Sequence, residues 1–419
     1  MKKIDSKMSK SGLFAKISKI TIINLLAQLI SVIGFSINSK LYGAEVIGGF
    51  VVVLSYSSII SILSTGYLEQ SFFVKKNEGL YKYLMISILY LSTLVTLASS
   101  VFLYVLNVSY IFFIAINIFS ESMLKTITSY NIANNKILFI SYSRLVLAPI
   151  IPGLYFVFYK MFGAEEIYLI LISSCCNLLF AIIITIVTLN SFKIKFKFYE
   201  LFKFKIYNLL IKRYFKFVKY SMTGELMRTI AFRGPTIVLE KYFGKEVAGF
   251  YGIANRIVLM PILIFVGTVS QIYIERISNF KKQNKKIMIL TANLLKLLSI
   301  ATIIGFSIYF VFGKWMINIL LGNEFEEVYY VIISLLPYAL AIIVFNPIFS
   351  VYSVFEKQEF LFKMKAGILC LSIISFSIAI ILNNYILGLS LFSLSIFVVY
   401  VLYGVKSLKI IKKYDKKNN

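Results

Sequence analysis

The sequence predicts an all-α membrane protein in which twelve transmembrane helices form two six-helix bundles around a central cavity. Three observations lead to this prediction. Of the 419 residues, 59% are hydrophobic and only 15% are charged, more apolar surface than a water-soluble domain of this size could bury. The apolar residues form runs of about 20, the length that crosses a bilayer. The basic residues gather in alternate loops between these runs, as the positive-inside rule requires.

The apolar runs define twelve predicted spans. In the first half they cover approximately 17–39, 47–68, 83–106, 109–130, 142–162 and 167–189, and in the second half 214–239, 247–273, 288–312, 328–352, 366–387 and 389–407. The basic N-terminal segment continues directly into the first full-length span, so we expect no cleaved signal peptide.

The positive charges predict the orientation of these spans. Of the 44 Lys and Arg residues, 35 fall in alternate loops that begin with the N-terminal tail or within six residues of the span ends that border these loops, five in the intervening loops or within two residues of the span ends that border them, and four deeper within spans. This distribution places both termini in the cytoplasm. The net charge of +26 therefore does not predict a nucleic-acid partner, because the cations punctuate apolar runs instead of forming one basic surface.

An internal repeat divides the chain. Residues 40–50 (KLYGAEVIGGF) align without a gap to residues 241–251 (KYFGKEVAGFY) at an offset of 201, and glycines at such a turn allow helices to pack tightly. Both copies follow an odd-numbered span, which predicts a parallel repeat. We expect an N-terminal bundle (1–189), a basic cytoplasmic linker that lies along the membrane (190–213) and a C-terminal bundle (214–419).

Four cations deep within predicted spans are the first candidate site residues, because ionisable groups at membrane depth normally face a cavity or a partner. They are Arg228 and Arg233 in span 7, Arg256 in span 8 and Lys296 in span 9. Glu225 can pair with Arg228 three residues later, which leaves about three cations without an obvious acidic partner. We expect an aqueous cationic cavity for an anionic substrate, and the alternative is snorkelling or an internal salt bridge.

Polar residues on span 1 predict a second wall of this cavity. Thr21, Asn24, Gln28, Ser31 and Asn38 recur on one face of the helix, and a polar stripe of this kind suits a water-filled cavity better than lipid.

Acidic residues inside spans are candidates for coupling. Span 4 carries Glu121 and Lys125 one turn apart, either as an ion pair near the inner interface or as part of the cavity. The two Asp residues, Asp5 and Asp415, lie in the tails. Proton coupling would therefore use Glu121, Glu225 or another Glu.

The six prolines lie inside predicted spans, where proline bends a helix. Pro235 and Pro337 are the candidate gating residues, whereas Arg144, at the start of span 5, is expected to be a cytoplasmic anchor. The sequence contains no His, no Walker-type phosphate loop and no metal-ligand spacing of its three Cys. We therefore predict no cofactor, no metal site and no catalytic residues, and do not expect an enzyme.

Several segments carry a resemblance to a known family. They are the turn LYGAEVIGGF with its repeat YFGKEVAGFY, the stretch LLGNEFEEVYYVIISLLPYAL at residues 320–340, and the turns NIANNKILFISYSRL and VFEKQEFLFKMKA. With these segments the chain resembles the bacterial polysaccharide (O-antigen or Wzx-type) flippases of the multidrug/oligosaccharidyl-lipid/polysaccharide (MOP) exporter superfamily.

The resemblance implies a substrate and a mechanism. It implies that undecaprenyl-diphosphate-linked oligosaccharide units cross the bacterial cytoplasmic membrane from the inner to the outer leaflet by alternating access, with membrane lipids and polysaccharide polymerase machinery as further partners. Cavity arginines of such flippases hold the diphosphate or acidic sugars, a role that Arg228, Arg233, Arg256 and Lys296 would fill here.

Two other functions stay open at this point. A drug/cation antiporter of the same superfamily would need an acidic cavity, opposite to the excess of cations in these spans. A membrane glycan polymerase or ligase would carry catalytic residues on a large outer loop, and the predicted outer loops are short.

Overall fold

The computed structural model describes residues 10–73, 78–134, 136–192, 204–215 and 217–417. All regular secondary structure in these segments is helical, which confirms the predicted all-α fold. Much of the predicted linker, residues 193–203, lies outside the described residues.

The described residues form fifteen α-helices. These are α1 (Lys10–Tyr42), α2 (Ala44–Thr65), α3 (Glu78–Val105), α4 (Ile111–Ala133), α5 (Ile137–Phe162), α6 (Glu166–Ser191), α7 (Phe204–Arg213), α8 (Thr223–Phe243), α9 (Lys245–Ala254), α10 (Met260–Lys282), α11 (Met288–Leu320), α12 (Glu326–Phe345), α13 (Ser350–Val354), α14 (Gln358–Ile381) and α15 (Tyr385–Lys417). π-helical segments at Phe217–Met222 and Asn255–Leu259 precede α8 and α10, and a 3₁₀ segment at Leu68–Phe73 follows α2.

Eleven of the described helices are long and apolar enough to cross a membrane. One of them, Lys245–Lys282, combines α9, the following π segment and α10. The long helix outside this set is α8, the predicted span 7, which carries four charged residues between Glu225 and Glu240. Each predicted span therefore corresponds to a long helix, and the chain is a multi-pass membrane protein.

The two copies of the repeat meet at one end of the bundle. We call this the outer end, after the predicted topology; there α1 joins α2 and α8 joins α9. A methyl group on Gly48 would overlap the carbonyl oxygen of Lys245, and one on Gly249 would overlap the carbonyl oxygen of Ala44. Gly48 and Gly249 are repeat mates, as are Ala44 and Lys245. The contact is thus symmetric, and only glycine allows the helices to approach this closely.

An ion pair reinforces this outer contact on one side. Lys245 Nζ donates to Glu166 Oε2 at 2.7 Å, and Glu166 begins α6 of the first half. The carboxylate lies against Gly49, where a Cβ atom would overlap it. The outer end is therefore closed by backbone packing together with one salt bridge between the halves.

The two sides of the inter-half cleft differ toward the opposite, inner end. On one side α2 packs along α8, and the 3₁₀ segment after α2 touches the π segment before α8. On the other side α1 meets α10 over a shorter stretch. The repeat makes these two helix pairs equivalent, so their unequal packing leaves a space between α1 and α10.

Serines of neighbouring helices bond to backbone groups beside the prolines inside α8 and α12. Pro235 cannot donate to the carbonyl four residues earlier, and Ser372 Oγ of α14 donates to that oxygen instead, at 3.4 Å. After Pro337, the N–H of Tyr338 donates to Ser393 Oγ of α15 at 2.8 Å. Freed backbone groups in membrane helices need such partners, and at both prolines a serine of the second half supplies one.

Candidate substrate cavity

A cavity of about 720 Å³ lies between the two halves, lined by α1, α4 and α5 on one side and by α10 with its preceding π segment on the other. Its lining stops at Phe35, Tyr155 and Arg256, before the outer ends of their helices. In the other direction it reaches Ile20 and Ile137, near the inner ends of α1 and α5. The cavity is therefore closed at the outer contact and extends toward the inner end.

The charged residues that line the cavity are two arginines, Arg144 of α5 and Arg256 of the π segment, and no acidic residue of the described chain lines it. At 1.5 Å per residue, Arg144 lies about 10 Å from the inner end of α5 and Arg256 about 17 Å from the outer end of α9. Neither arginine forms a salt bridge with a described residue. The lining thus carries two positive charges at two different levels.

Arg256 owes its position to the π-helical turn Asn255–Leu259, a distortion frequent at functional sites because it changes which side chains face inward. Its guanidinium lies 4.3 Å from the centre of the Phe35 ring, a cation–π contact that ties the π segment to α1. The structure therefore places this predicted site residue on the cavity wall.

The polar stripe of α1 supplies much of the remaining wall. Thr21, Asn24, Gln28 and Ser31 line the cavity, and Thr268 and Gln271 of α10 line it too. Oδ1 of Asn24 is buried and has no hydrogen-bond partner among the described residues. Amides and hydroxyls of this kind can exchange hydrogen bonds with a hydroxyl-rich ligand.

Asn38, the last residue of the predicted stripe, does not line the cavity. Its Nδ2 donates to the carbonyl oxygens of Gly34, at 2.7 Å, and Pro152, at 3.1 Å. It lies beyond Phe35, where the cavity already ends, and therefore ties α1 to α5 instead.

The charged residues of α8 lie outside the cavity wall. Arg228 forms a salt bridge with Glu225, which confirms the predicted i,i+3 pair. Glu225 also accepts a hydrogen bond from Lys365 Nζ at 3.2 Å, so two cations neutralise it. Arg233 does not line the cavity, but its charge interacts with that of Arg256.

Lys296 requires a correction, because its side chain is exposed on α11 and does not line the cavity. Leu297 and Ile300 are exposed beside it, at 65% and 47%, as expected for the lipid-facing side of a helix. Its depth along span 9 was compatible with a cavity, but depth does not reveal which side of the helix faces the protein. A long lysine can instead reach the interface by snorkelling.

Glu121 forms an ion pair within the first half and does not line the cavity. Lys125 Nζ lies 3.7 Å from its Oε2, and Ser61 of α2 bonds to both side chains at 2.7 Å. The structure thus contains the ion pair that the sequence left open.

Comparison with known proteins identifies a sequence family and solved structures of the same fold. A sequence family described as "Polysaccharide biosynthesis protein" matches residues 80–330, more than half of the chain. No curated protein matches the sequence.

Solved structures share the fold at low identity. The lipid II flippase MurJ in an inward closed conformation is 17% identical, with 95% of this chain and 90% of that chain covered and a TM-score of 0.71. An inward-facing multidrug resistance MATE family transporter of the MOP superfamily is 12% identical, with 94% and 96% covered and a TM-score of 0.66. A MOP superfamily transporter from Pyrococcus furiosus, described by the reverse polarity of its binding pocket, is 11% identical, with 96% of each chain covered and a TM-score of 0.59. The chain therefore belongs to the polysaccharide biosynthesis protein family and has the fold of the MOP superfamily.

Proposed function

We propose that this protein is a flippase that moves undecaprenyl-diphosphate-linked oligosaccharide units from the inner to the outer leaflet of the bacterial cytoplasmic membrane, for O-antigen or capsule synthesis. One observation carries the proposal: the charged side chains on the cavity wall are Arg144 and Arg256, with no acidic residue among the described lining. The family's description as polysaccharide biosynthesis proteins supports a glycan substrate.

The chemistry of the wall suits a diphosphate-linked sugar. Guanidinium groups form paired hydrogen bonds with phosphate oxygens, and the two arginines lie at different levels along the cavity. One can bind the diphosphate while the other binds an acidic group of the glycan. The volume of about 720 Å³ falls within the roughly 300–1,000 Å³ of ordinary ligand pockets. It therefore accommodates a head group, while the isoprenoid tail stays in the bilayer.

Transport would proceed by alternating access. The outer contact at Gly48 and Gly249 would separate as the inner ends approach each other, which exposes the cavity to the other side. We propose that the bundle 1–189 moves against the bundle 214–419 about the linker 190–213, with the bends at Pro235 and Pro337 as gating elements and both termini in the cytoplasm.

Two alternatives have less support. A drug/cation antiporter is favoured by the MATE structures of similar fold, but a cation would meet two arginines in this cavity without a compensating carboxylate of the described chain. A polymerase or ligase would need room for an outer catalytic loop, and the longest outer connections between described α-helices, residues 106–110 and 321–325, have only five residues each.

The test uses cells in which the gene is deleted and replaced by variants. We expect Arg256→Ala and Arg144→Ala to abolish surface polysaccharide and to accumulate a lipid-linked oligosaccharide accessible from the cytoplasmic face. Lys296→Ala is the matched control, since it removes a cation outside the cavity, and Arg256→Lys, which keeps the charge, should retain partial export. Normal export in both alanine variants, or accumulation of unpolymerised units in the outer leaflet, would contradict the proposal.

A further inference from the structure

Glu69 is a buried carboxyl group at the inner end of α2. It lies in the 3₁₀ segment Leu68–Phe73, and only 4% of the residue is exposed. Its Oε2 has no hydrogen-bond partner among the described residues, and no described cation lies within ion-pair distance of it. A buried carboxylate oxygen without a partner is costly, so the neutral acid is the form that fits this site.

The groups around Glu69 come from each element that packs against its turn. The charged groups are Lys125 of α4, Glu225 and Arg228 of α8, and Lys219 of the π segment, which is exposed. The uncharged groups are Thr65 and Tyr67, just before the 3₁₀ segment, and Tyr81 of α3, whose hydroxyl donates to the Phe72 carbonyl. Lys125 is the cation whose charge attracts the Glu69 carboxylate, but it is already bound to Ser61 and Glu121. Glu225 is a second negative charge, although Arg228 and Lys365 offset it.

This turn belongs to the contact between the two halves. A Cβ atom on Gly66 would lie 3.7 Å from Cγ2 of Val218, in the π segment before α8. Tyr67 interacts electrostatically with Glu225 and Arg228. Separation of α2 from α8 at this point would therefore bring water to the turn and change the environment of Glu69.

Burial raises the pKa of the Glu69 carboxyl above its usual range, and the charge of Glu225 raises it further. Lys125 and the hydrogen bonds from the backbone and Thr65 oppose this shift only in part. Water admitted by separation of the halves would lower the pKa again, because it solvates the carboxylate. The closed contact thus holds more protons than the open one.

We propose that Glu69 is a proton-binding site linked to the contact between the two halves: it carries a proton while the turn after α2 rests on the π segment before α8, and releases it when they separate. Acid favours the form that binds more protons, so low pH favours the closed contact and high pH the open one. Between the usual carboxyl pKa and its raised value in the closed form, the ratio of open to closed contact rises up to about tenfold per pH unit. The proposal goes beyond the proposed transport function and does not depend on the substrate.

Spin labels on both sides of the contact test this link in the purified full-length protein. Phe73 and Tyr220, exposed at 49% and 59%, accept labels after exchange to cysteine in a background with the three native cysteines replaced by serine. Without substrate, we expect the short-distance population to shrink as pH rises from about 5 to 8. Glu69→Gln, which resembles the protonated form, should keep the short distance at every pH.

Three comparisons keep the test decisive. Glu69→Asp keeps a titratable carboxyl and should retain a pH response, which also shows that the site tolerates substitution. Glu45→Gln, the same change at an exposed residue of the outer end, should behave as the wild type. A wild-type distance that does not change with pH, or a Glu69→Gln variant with the wild-type pH profile, would overturn the proposal. Because no substrate is present, these outcomes leave the proposed transport function untouched.

Discussion

Replacement of Gly48 by alanine tests whether the glycine contact keeps the outer end closed. The new Cβ would overlap the carbonyl oxygen of Lys245, so α2 and α9 must separate there by about 1 Å or more. A gap of about 0.5–1 Å already removes a quarter to a half of the dispersion attraction between facing atoms, and overpacking costs about 1–3 kcal/mol. A cost of about 1–3 kcal/mol to the closed form shifts the equilibrium between the closed and outward-open forms about 5- to 150-fold toward the outward-open form.

The assay is the distance between spin labels at residues 40 and 241. Lys40 and Lys241 are repeat mates at the outer ends of α1 and α8, and both are exposed. We expect longer distances in Gly48→Ala, and longer still in the Gly48→Ala, Gly249→Ala double variant. Gly305→Ala is the control, because a Cβ there meets nothing within 4 Å, while the gain in helix propensity of about 1 kcal/mol is the same. Unchanged distances in Gly48→Ala, or an equal change in Gly305→Ala, would refute the reasoning.

Three further variants probe the supports of this architecture. Lys245→Ala removes the partly exposed ion pair with Glu166, and we expect it to weaken the outer contact by at most about 1 kcal/mol in the same label assay; an effect larger than that of Gly48→Ala would contradict this ranking. Ser372→Ala leaves the carbonyl freed by the α8 proline without its partner, so thermal unfolding in detergent should show a loss of about 1 kcal/mol that exposed Ser307→Ala does not show. Asp415→Ala removes the carboxylate that accepts two backbone N–H groups at the start of α11; we expect a loss of about 0.5–2 kcal/mol, and an unchanged melting temperature would argue against this cap.

The spans and the repeat could be predicted because membrane physics constrains them strongly. A helix must be long and apolar to cross lipid, and the positive-inside rule divides the loops. The symmetric contact of Gly48 with Gly249 follows the repeat at offset 201. The long described helix that is too polar for the set of apolar spans is α8, and it carries Glu225 and Arg228, which the sequence predicts to form an ion pair.

The cavity wall was harder to predict because it depends on how each helix is rotated. The sequence predicts Arg144 to be an interfacial anchor, because a cation near the end of a span looks the same in sequence whether it anchors the helix or lines a cavity. Lys296 had a suitable depth but faces away from the cavity. Arg256 faces the cavity from a π-helical turn that no pattern in the sequence predicts. Glu69 was not singled out, because it lies just past the end of an apolar run, where an acidic residue is ordinary.

The most direct test of the cationic cavity is the binding of an isoprenoid diphosphate to the purified protein. We expect undecaprenyl diphosphate to bind the wild type, and the neutral alcohol undecaprenol, which has the same tail, to bind far more weakly. The Arg144→Ala and Arg256→Ala variants should each bind the diphosphate about 10- to 100-fold more weakly, because each loses charge-assisted hydrogen bonds, whereas Lys296→Ala should match the wild type. Equal affinity for the diphosphate in the Arg144→Ala, Arg256→Ala double variant would contradict the account.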